Sequence, residues 1–227
     1  MVQQVAHRGV RYVLVTPARQ HLSADFNDTV ARQLHGFHHT LPGYRPTSLI
    51  RLRGLARRWG IGDILVKDES TRFGLKAFKV LGGSYAVARL LCQRLGLAWE
   101  KIDFDMLSSE AMHRRIGPMT LATATDGNHG RGVAWTAEQL GLNAVIYMPK
   151  GSARSRVENI RAHGAHVQVT DLNYDDTVRL AWRMAQENGW HVIQDTAWEG
   201  YADIPRWIMQ GYTLSLIHIS EPTRPTT

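Results

Sequence analysis

Met119-Thr120-Leu121-Ala122-Thr123-Ala124-Thr125-Asp126-Gly127-Asn128-His129-Gly130-Arg131-Gly132 opens as a short apolar, Thr-rich segment, turns through a small polar loop and continues as a helical run from Gly130 to Leu140, stopped by Gly141. The pattern then repeats. Asn143 to Met148 reads as a second strand, and Ala153 to His163 as a helix with Ser152 as N-cap and Gly164 as stop. Ala153, Val157 and Ile160 share one face of that helix. His166 to Thr170 is a third strand, and the next helix carries Val178, Ala181, Trp182 and Ala185 on one face, with Asp175 as its expected cap and Gly189 as its end. Trp190 to Gln194 is the fourth strand. Three successive strand–helix–strand units predict a parallel sheet with right-handed crossovers and helices on both faces, an α/β fold.

Upstream, a long helix is predicted from about Phe78 to Leu95, with Gly96 at the position where positive φ carries no penalty. Gly82 and Gly83 lie inside it. Each costs roughly 1 kcal/mol against Ala there, so close approach of another group is expected. Residues 97–118 read as an irregular connection with a short helix around Ser108 to Arg115. Ile61 to Lys67 reads as a strand ended by Asp68-Glu69-Ser70. Residues 49–59 read as an amphipathic helix, with Arg51, Arg53, Arg57 and Arg58 set among Leu49, Leu52, Leu55, Ala56 and Trp59. Pro42 to Pro46 form a turn, and residues 25–39 a helix starting near Asp25 or Asn27. Residues 1–20 carry little pattern.

The 227 residues are 44% apolar and 21% charged, which excludes a disordered chain and suits one large domain or two small ones. Lys and Arg number 27 against 20 Asp and Glu, a net charge of +7. No nucleic-acid-binding motif accompanies the arginines, so a solvated basic surface is the reading and no nucleic-acid partner is expected. Cys92 is the only cysteine, which rules out an internal disulfide and a cysteine-rich metal site. No apolar run reaches the 18 residues of a membrane span, and residues 1–20 lack a signal peptide's apolar core. A cytoplasmic protein without a membrane partner is expected.

Three polar segments stand where strands are predicted to stop, the ends at which α/β sheets take ligands. They are Lys67-Asp68-Glu69-Ser70 leading to Ala77-Phe78-Lys79, Thr125 to Gly132, and Gln194 to Tyr201. The glycines at 127, 130 and 132 reverse the dinucleotide spacing, and no phosphate-binding Gly-Lys-Ser/Thr run occurs. His35, His38 and His39 have helical spacing but lack a fourth ligand, so they are expected on a solvated helix face and no metal site is predicted.

Lys67-Asp68-Glu69 followed by Phe73-Gly74 and Ala77-Phe78-Lys79 resembles the fold-type II pyridoxal-phosphate pattern, whose Ser/Ala-Phe-Lys triplet supplies the Schiff-base lysine. Thr125-Asp126-Gly127-Asn128-His129-Gly130 resembles that superfamily's cofactor loop. Within it the sequence is most similar to the diaminopropionate ammonia-lyases, through Asp126 to Gly132, Val145 to Gly151, and Gln194 to Tyr201. The likeness covers roughly residues 28–213. Serine and threonine dehydratases carry Ser where Asp126 stands.

This resemblance implies pyridoxal phosphate as cofactor, an amino-acid substrate, and α,β-elimination of D- and L-2,3-diaminopropionate to pyruvate and two ammonia. It implies Lys79, Asp126 and Asp195 as catalytic residues, with Lys79 the base for the L-isomer, Asp126 for the D-isomer, and Asp195 near the substrate amine. Phe78, Gly127, Asn128 and His129 would join Lys79 at the cofactor, Asn128 at the 3′ oxygen. His129 is expected to fix its loop rather than move protons. The family's phosphate loop and the partner of its pyridine nitrogen lie in the C-terminal half, so the chain reads as a truncated copy, inactive by itself. The intact protein would be a homodimer. The implied division is 1–95 for the N-terminal part of a large domain, 96–200 for a smaller α/β domain, and 201–213 for the return. Residues 214–227 resemble translated sequencing-adaptor read-through and are set aside. The alternatives are a threonine/serine dehydratase-like lyase and a nonenzymatic truncated product.

Overall fold

A computed structural model describes residues 2–7, 10–15 and 24–220, with side chains over 25–215. Strands β1 (Val2–His7) and β2 (Val10–Val15) pair antiparallel, where the sequence showed little pattern. Helix α1 (Asp28–His39) starts at Asn27, whose side chain accepts from the Val30 amide. Of the three histidines expected in water, His35 and His39 are exposed but His38 is fully buried. Leu34, Phe37 and His38 make one buried face of α1, and the His38 Nε2 donates there to the carbonyl of Leu81. Among the described residues no cluster of His, Cys, Asp or Glu could hold a metal ion.

The predicted helix over 49–59 divides into β3 (Leu49–Arg51) and α2 (Arg53–Trp59). β3 pairs antiparallel with β4 (Leu65–Lys67), the short remnant of the expected 61–67 strand, and Arg51 reaches Asp63 in an ion pair. The first polar segment therefore leaves an antiparallel ribbon and not the parallel sheet. Helix α3 (Lys79–Leu95) ends at Gly96, φ 64°, as expected. The connection over 97–118 holds two short helices, α4 (Phe104–Leu107) and α5 (Glu110–Ile116), capped by Asp103 and Ser109.

The strand–helix alternation then proceeds as read: β5 (Thr120–Ala124), α6 (Asn128–Gln139), β6 (Asn143–Met148), α7 (Arg154–Arg161), β7 (His166–Val169), α8 (Tyr174–Asn188) and β8 (His191–Val192). All four strands are parallel, in the order β7-β6-β5-β8. Alternation along β6 sends Ala144, Ile146 and Met148 into the main core with α6 and α7, while Tyr147 packs against Ala181 and Val178 of α8. Two expected caps are corrected. Asn173, not Asp175, caps α8 and accepts from the Asp176 amide. Ala153 precedes α7, because the Ser152 hydroxyl donates to the Pro149 carbonyl instead.

Helix α9 (Asp203–Ser220) starts before Pro205, as a proline in the first turn permits, and runs past residue 213. Leu214 and Ser215, set aside in the sequence reading, are buried, and Ser215 donates to Glu69 at 2.9 Å. Residues 221–227 of that tail lie outside the described residues. α9 lies across α3 at glycine contacts: a Cβ on Gly82 would sit 2.5 Å from the Tyr212 ring and 2.7 Å from the Ile208 carbonyl. The close approach expected there is present. Gly83 is different, since its Cβ would meet nothing nearer than 3.6 Å.

Candidate active site

The chain moves outward from β5 to β7 and then crosses back to place β8 on the free side of β5. The crevice beyond the C-terminal ends of β5 and β8 is thus the switch point of the sheet, where ligands bind in open α/β folds. Both loops leaving it carry residues singled out by the sequence.

After β5, the Thr125 hydroxyl accepts the amides of Gly127 (2.9 Å) and Gly130 (3.0 Å). The loop is thereby wound onto the first turn of α6, and the His129 ring turns inward. Gly127 has φ 155°, and a Cβ at Gly130 would lie 2.3 Å from Thr125 Cγ2. Larger residues fit neither place.

After β8, Gln194 fixes the outgoing direction. Its buried Oε1 accepts from the Thr123 hydroxyl (2.8 Å) and the Ala124 amide (3.0 Å), and its Nε2 donates to the Tyr174 hydroxyl (3.1 Å). The Gln194 amide donates to the Tyr201 hydroxyl, which donates to the Val192 carbonyl, both at 2.9 Å. A two-residue strand is in this way given a rigid exit, and Asp195 follows it. The Tyr201 ring stacks on Trp198 at 4.3 Å, with Trp182 edge-on to both. A cleft of about 350 Å³ lies along α8, lined by Tyr174, Asp175, Val178, Arg179, Trp182, Thr196 and Trp198.

Lys79 arrives from a third direction. Phe73 and Lys76, ahead of it, hold φ values of 48° and 55°, a left-handed conformation costly for residues with a Cβ. Arg131 of α6 holds this bend by donating to the Leu75 carbonyl. At Gly132 a Cβ would stand 2.9 Å from Val80 N and Cα, so α3 and α6 touch backbone to backbone. The first turn of α3 is thereby pressed against the two loops. Lys79 Nζ donates to Asp195 Oδ2 at 2.8 Å, the Tyr212 ring centroid lies 5.2 Å from Nζ, and Phe78 packs edge-on to Tyr212 at 5.0 Å. On the other side of Asp195, His129 donates from Nε2 to the Ile193 carbonyl at 2.7 Å and turns Nδ1 toward the same Oδ2, at 3.8 Å.

The charges follow the geometry. Burial works against ionising Asp195, yet His129 and the hydrogen bond and charge of Lys79 together hold its carboxyl below the usual range. Burial pushes the His129 imidazole down; Asp195 and the Ile193 carbonyl oppose it, and the Lys79 charge adds to it. Burial, then the Asp195 charge, pushes the Tyr212 phenol well up.

Of the residues read from the sequence, Lys79, Asp195 and His129 form one contact cluster, with Phe78 at its rim. Gly127 and Asn128 form the adjoining loop, and Asn128 is exposed. Asp126 is exposed as well and turns to Arg156, which donates to its carbonyl at 2.9 Å and stands 3.6 Å from its carboxylate. Tyr174 and Tyr212 were not picked out, and Gln194 was read only as the start of the third polar segment. Gln194 carried a signal, an amide at a strand end just before the acidic residue. Tyr212 carried none, because its neighbours are set by the crossing of α9 over α3.

Residues 40–213 match the family of pyridoxal-phosphate dependent enzymes, and the chain belongs to that family. It is 59% identical over 188 residues to the diaminopropionate ammonia-lyase of Escherichia coli strain K12, covering 82% of this chain and 46% of that one. The apo crystal structure of the Escherichia coli enzyme superposes with a TM-score of 0.83 at 56% identity, over 89% of this chain and 54% of that one. A second structure of that enzyme, in complex with an aminoacrylate-PLP azomethine reaction intermediate, superposes with a TM-score of 0.80 at 54% identity, over 89% and 50%. The chain spans about half the length of the curated relatives it matches.

The family's cofactor is pyridoxal phosphate, and the residues present fit its reactive side. A part-exposed lysine amine is poised at the switch point on a carboxylate, an exposed phenyl ring stands at residue 78, and an exposed amide at residue 128. Beside them, the Nδ1 of His129 is buried without a hydrogen-bond partner among the described residues. No described helix is long and apolar enough to cross a membrane.

Proposed function

We propose that this chain carries the lysine-bearing half of a diaminopropionate ammonia-lyase, which eliminates ammonia from D- and L-2,3-diaminopropionate and releases pyruvate and a second ammonia. The observation that carries the reading is the Lys79–Asp195 pair at the switch point, a carboxylate already shaped around an ammonium group. When bound, pyridoxal phosphate supplies the electron sink for charge developing at Cα. Lys79 holds the cofactor and takes the Cα proton of the L-isomer; Asp126, on the neighbouring loop, takes that of the D-isomer. The electron pair of the broken Cα–H bond forms the Cα–Cβ double bond, and the Cβ–N bond breaks with its pair leaving on ammonia. Asp195 seats the substrate's β-ammonium. In a shielded crevice that charge-assisted bond favours an amine over the hydroxyl of serine or threonine. Phe78, Gly127, Asn128 and His129 line the cofactor's place, with Asn128 at its 3′ oxygen.

In this reading residues 1–95 belong to a large domain, 96–200 form the smaller one and 201–213 begin the return. The intact protein is a cytoplasmic homodimer acting on a small amino acid. The test has two parts. Borohydride reduction with pyridoxal phosphate, followed by peptide mapping, should fix the cofactor on Lys79. Pyruvate should then form from both diaminopropionate isomers in protein of the relatives' full length carrying these residues, and fall at least about a thousandfold in Lys79→Ala, whose loss removes the covalent anchor and a base together. Pyruvate from serine or threonine but not from diaminopropionate would sink the substrate assignment.

A further inference from the structure

We propose that His129 is the alternate proton partner of Asp195, accepting at Nδ1 the proton that Lys79 gives up when its amine leaves that carboxylate. The proposal rests on Lys79 as the cofactor lysine and adds a role for a residue whose sequence suggests only that it fixes a loop. Loop fixing uses one ring nitrogen. A carbonyl only accepts, so the 2.7 Å contact with Ile193 puts the ring hydrogen on Nε2 and leaves a lone pair on Nδ1. That atom is buried, has no hydrogen-bond partner among the described residues, and faces a carboxylate oxygen at 3.8 Å. Two acceptors facing each other gain nothing until a proton lies between them. The distance says the same, being within ion-pair reach yet beyond a hydrogen bond.

Lys79 explains why the contact is open here. Its ammonium sits on the same oxygen, Oδ2, at 2.8 Å and already satisfies the charge of Asp195. An ammonium is not a nucleophile, however, so Lys79 must lose one proton before it attacks any carbonyl. One N–H bond breaks at Nζ and one forms at Nδ1, with Oδ2 between donor and acceptor; no co-reactant is needed and the charge on the cluster is unchanged. Among the described residues, three tyrosines also feel the Asp195 charge, Tyr174 from α8, Tyr201 from the β8 loop and Tyr212 from α9. Burial and the carboxylate raise all three, so they stay neutral and cannot take that proton. Among these described groups, His129 is the one with a buried free lone pair turned to the carboxylate. Burial holds the ring neutral while Lys79 is in place; Asp195 and the Ile193 carbonyl favour its cation, and the Lys79 charge, which opposes it, is what the transfer removes.

The experiment is a ring-15N histidine titration of the cofactor-free chain, which reads protons and not turnover. In the unsubstituted chain His129 should be the neutral Nε2–H form at pH 7. In Lys79→Gln, which keeps a donor for Asp195 but removes the charge, its proton affinity should rise about tenfold or more. Lys79→Ala should do the same, and adding Asp195→Asn to either should abolish the rise. His38, buried and held to about 4, reports in the same spectra that the chain is folded. An Nδ1–H tautomer in the unsubstituted chain, or a His129 midpoint that does not move in Lys79→Gln, overturns the proposal. Failure of borohydride to fix the cofactor on Lys79 would instead overturn the functional reading and leave this titration standing.

Discussion

His38 and His129 sit on α1 and α6, two helices that pack against α3, and they are held in the same way. Each is buried, each donates from Nε2 to a main-chain carbonyl (Leu81 at 2.9 Å, Ile193 at 2.7 Å), and each leaves Nδ1 without a partner among the described residues. The difference is what Nδ1 faces. His129 has Asp195; His38 has no carboxylate within ion-pair distance among the described residues, and the charges of Arg72 and His35 disfavour its cation. Residue type and burial thus make a helix clasp in one place and a candidate proton site in the other. The neighbour decides which.

The two glycines inside α3 differ in the room around them as well, and the largest effect is expected where α9 crosses Gly82. At Gly82 a new Cβ meets the backbone oxygen of Ile208, which has no rotamer to change, so Gly82→Ala should cost about 3 kcal/mol or more in urea unfolding. A cost below 1 kcal/mol would mean that α9 is not seated on α3 as described.

Next comes the acid behaviour of the clasp. Burial, only partly opposed by the main chain at Leu81 and Leu34, lowers His38 from 6.5 to about 4. Below pH 6.5 the unfolded chain therefore binds a proton that the folded chain refuses. The stability due to neutral His38 is complete above pH 6.5 and drains away as pH falls toward 4, by roughly 2–3 kcal/mol. His38→Gln should flatten that slope, whereas His129→Gln should flatten it less, because Asp195 pulls the His129 ring toward its cation. Equal flattening in both variants would erase the comparison. A smaller effect of opposite sign is expected at Gly83, where the space is ordinary: Gly83→Ala should stabilise by about 0.5–1 kcal/mol, the helix propensity difference.

What the sequence disclosed, and what it hid, follows from the range of the interactions. The run from Met119 to Gln194 was readable because periodicity and glycine stops are local, and its four strands stand in the parallel sheet. Lys79 and Asp195 were readable as motif residues, but their 2.8 Å contact spans 116 positions and depends on Gly132 letting two helices meet. Caps misled where a hydroxyl finds another partner: Ser152 donates to the Pro149 carbonyl, so α7 opens without a capping side chain. His38 misled because a polar residue on a helical face reads as solvated until the carbonyl it donates to is known. Arg51 misled because its partner, Asp63, belongs to the neighbouring strand's approach and not to its own helix face.

The smallest predicted effect tests whether an orphaned polar atom near Asp195 matters only when it can take the proton. Tyr212 Oη, like His129 Nδ1, is buried and unpartnered among the described residues. Unlike that nitrogen, a neutral phenol has no use for the proton of Lys79, and the Asp195 charge only reinforces its neutrality. Its hydroxyl is therefore a desolvation cost with no return, while its ring does the packing against Gly82, Phe78 and Lys79. Tyr212→Phe should keep the ring contacts, stabilise the chain by about 0.5 kcal/mol, and leave the His129 titration where it was. A loss of 1 kcal/mol would show that the hydroxyl has a partner. A moved His129 midpoint would place Tyr212 inside the proton exchange, so that three groups and not two share the proton around Asp195.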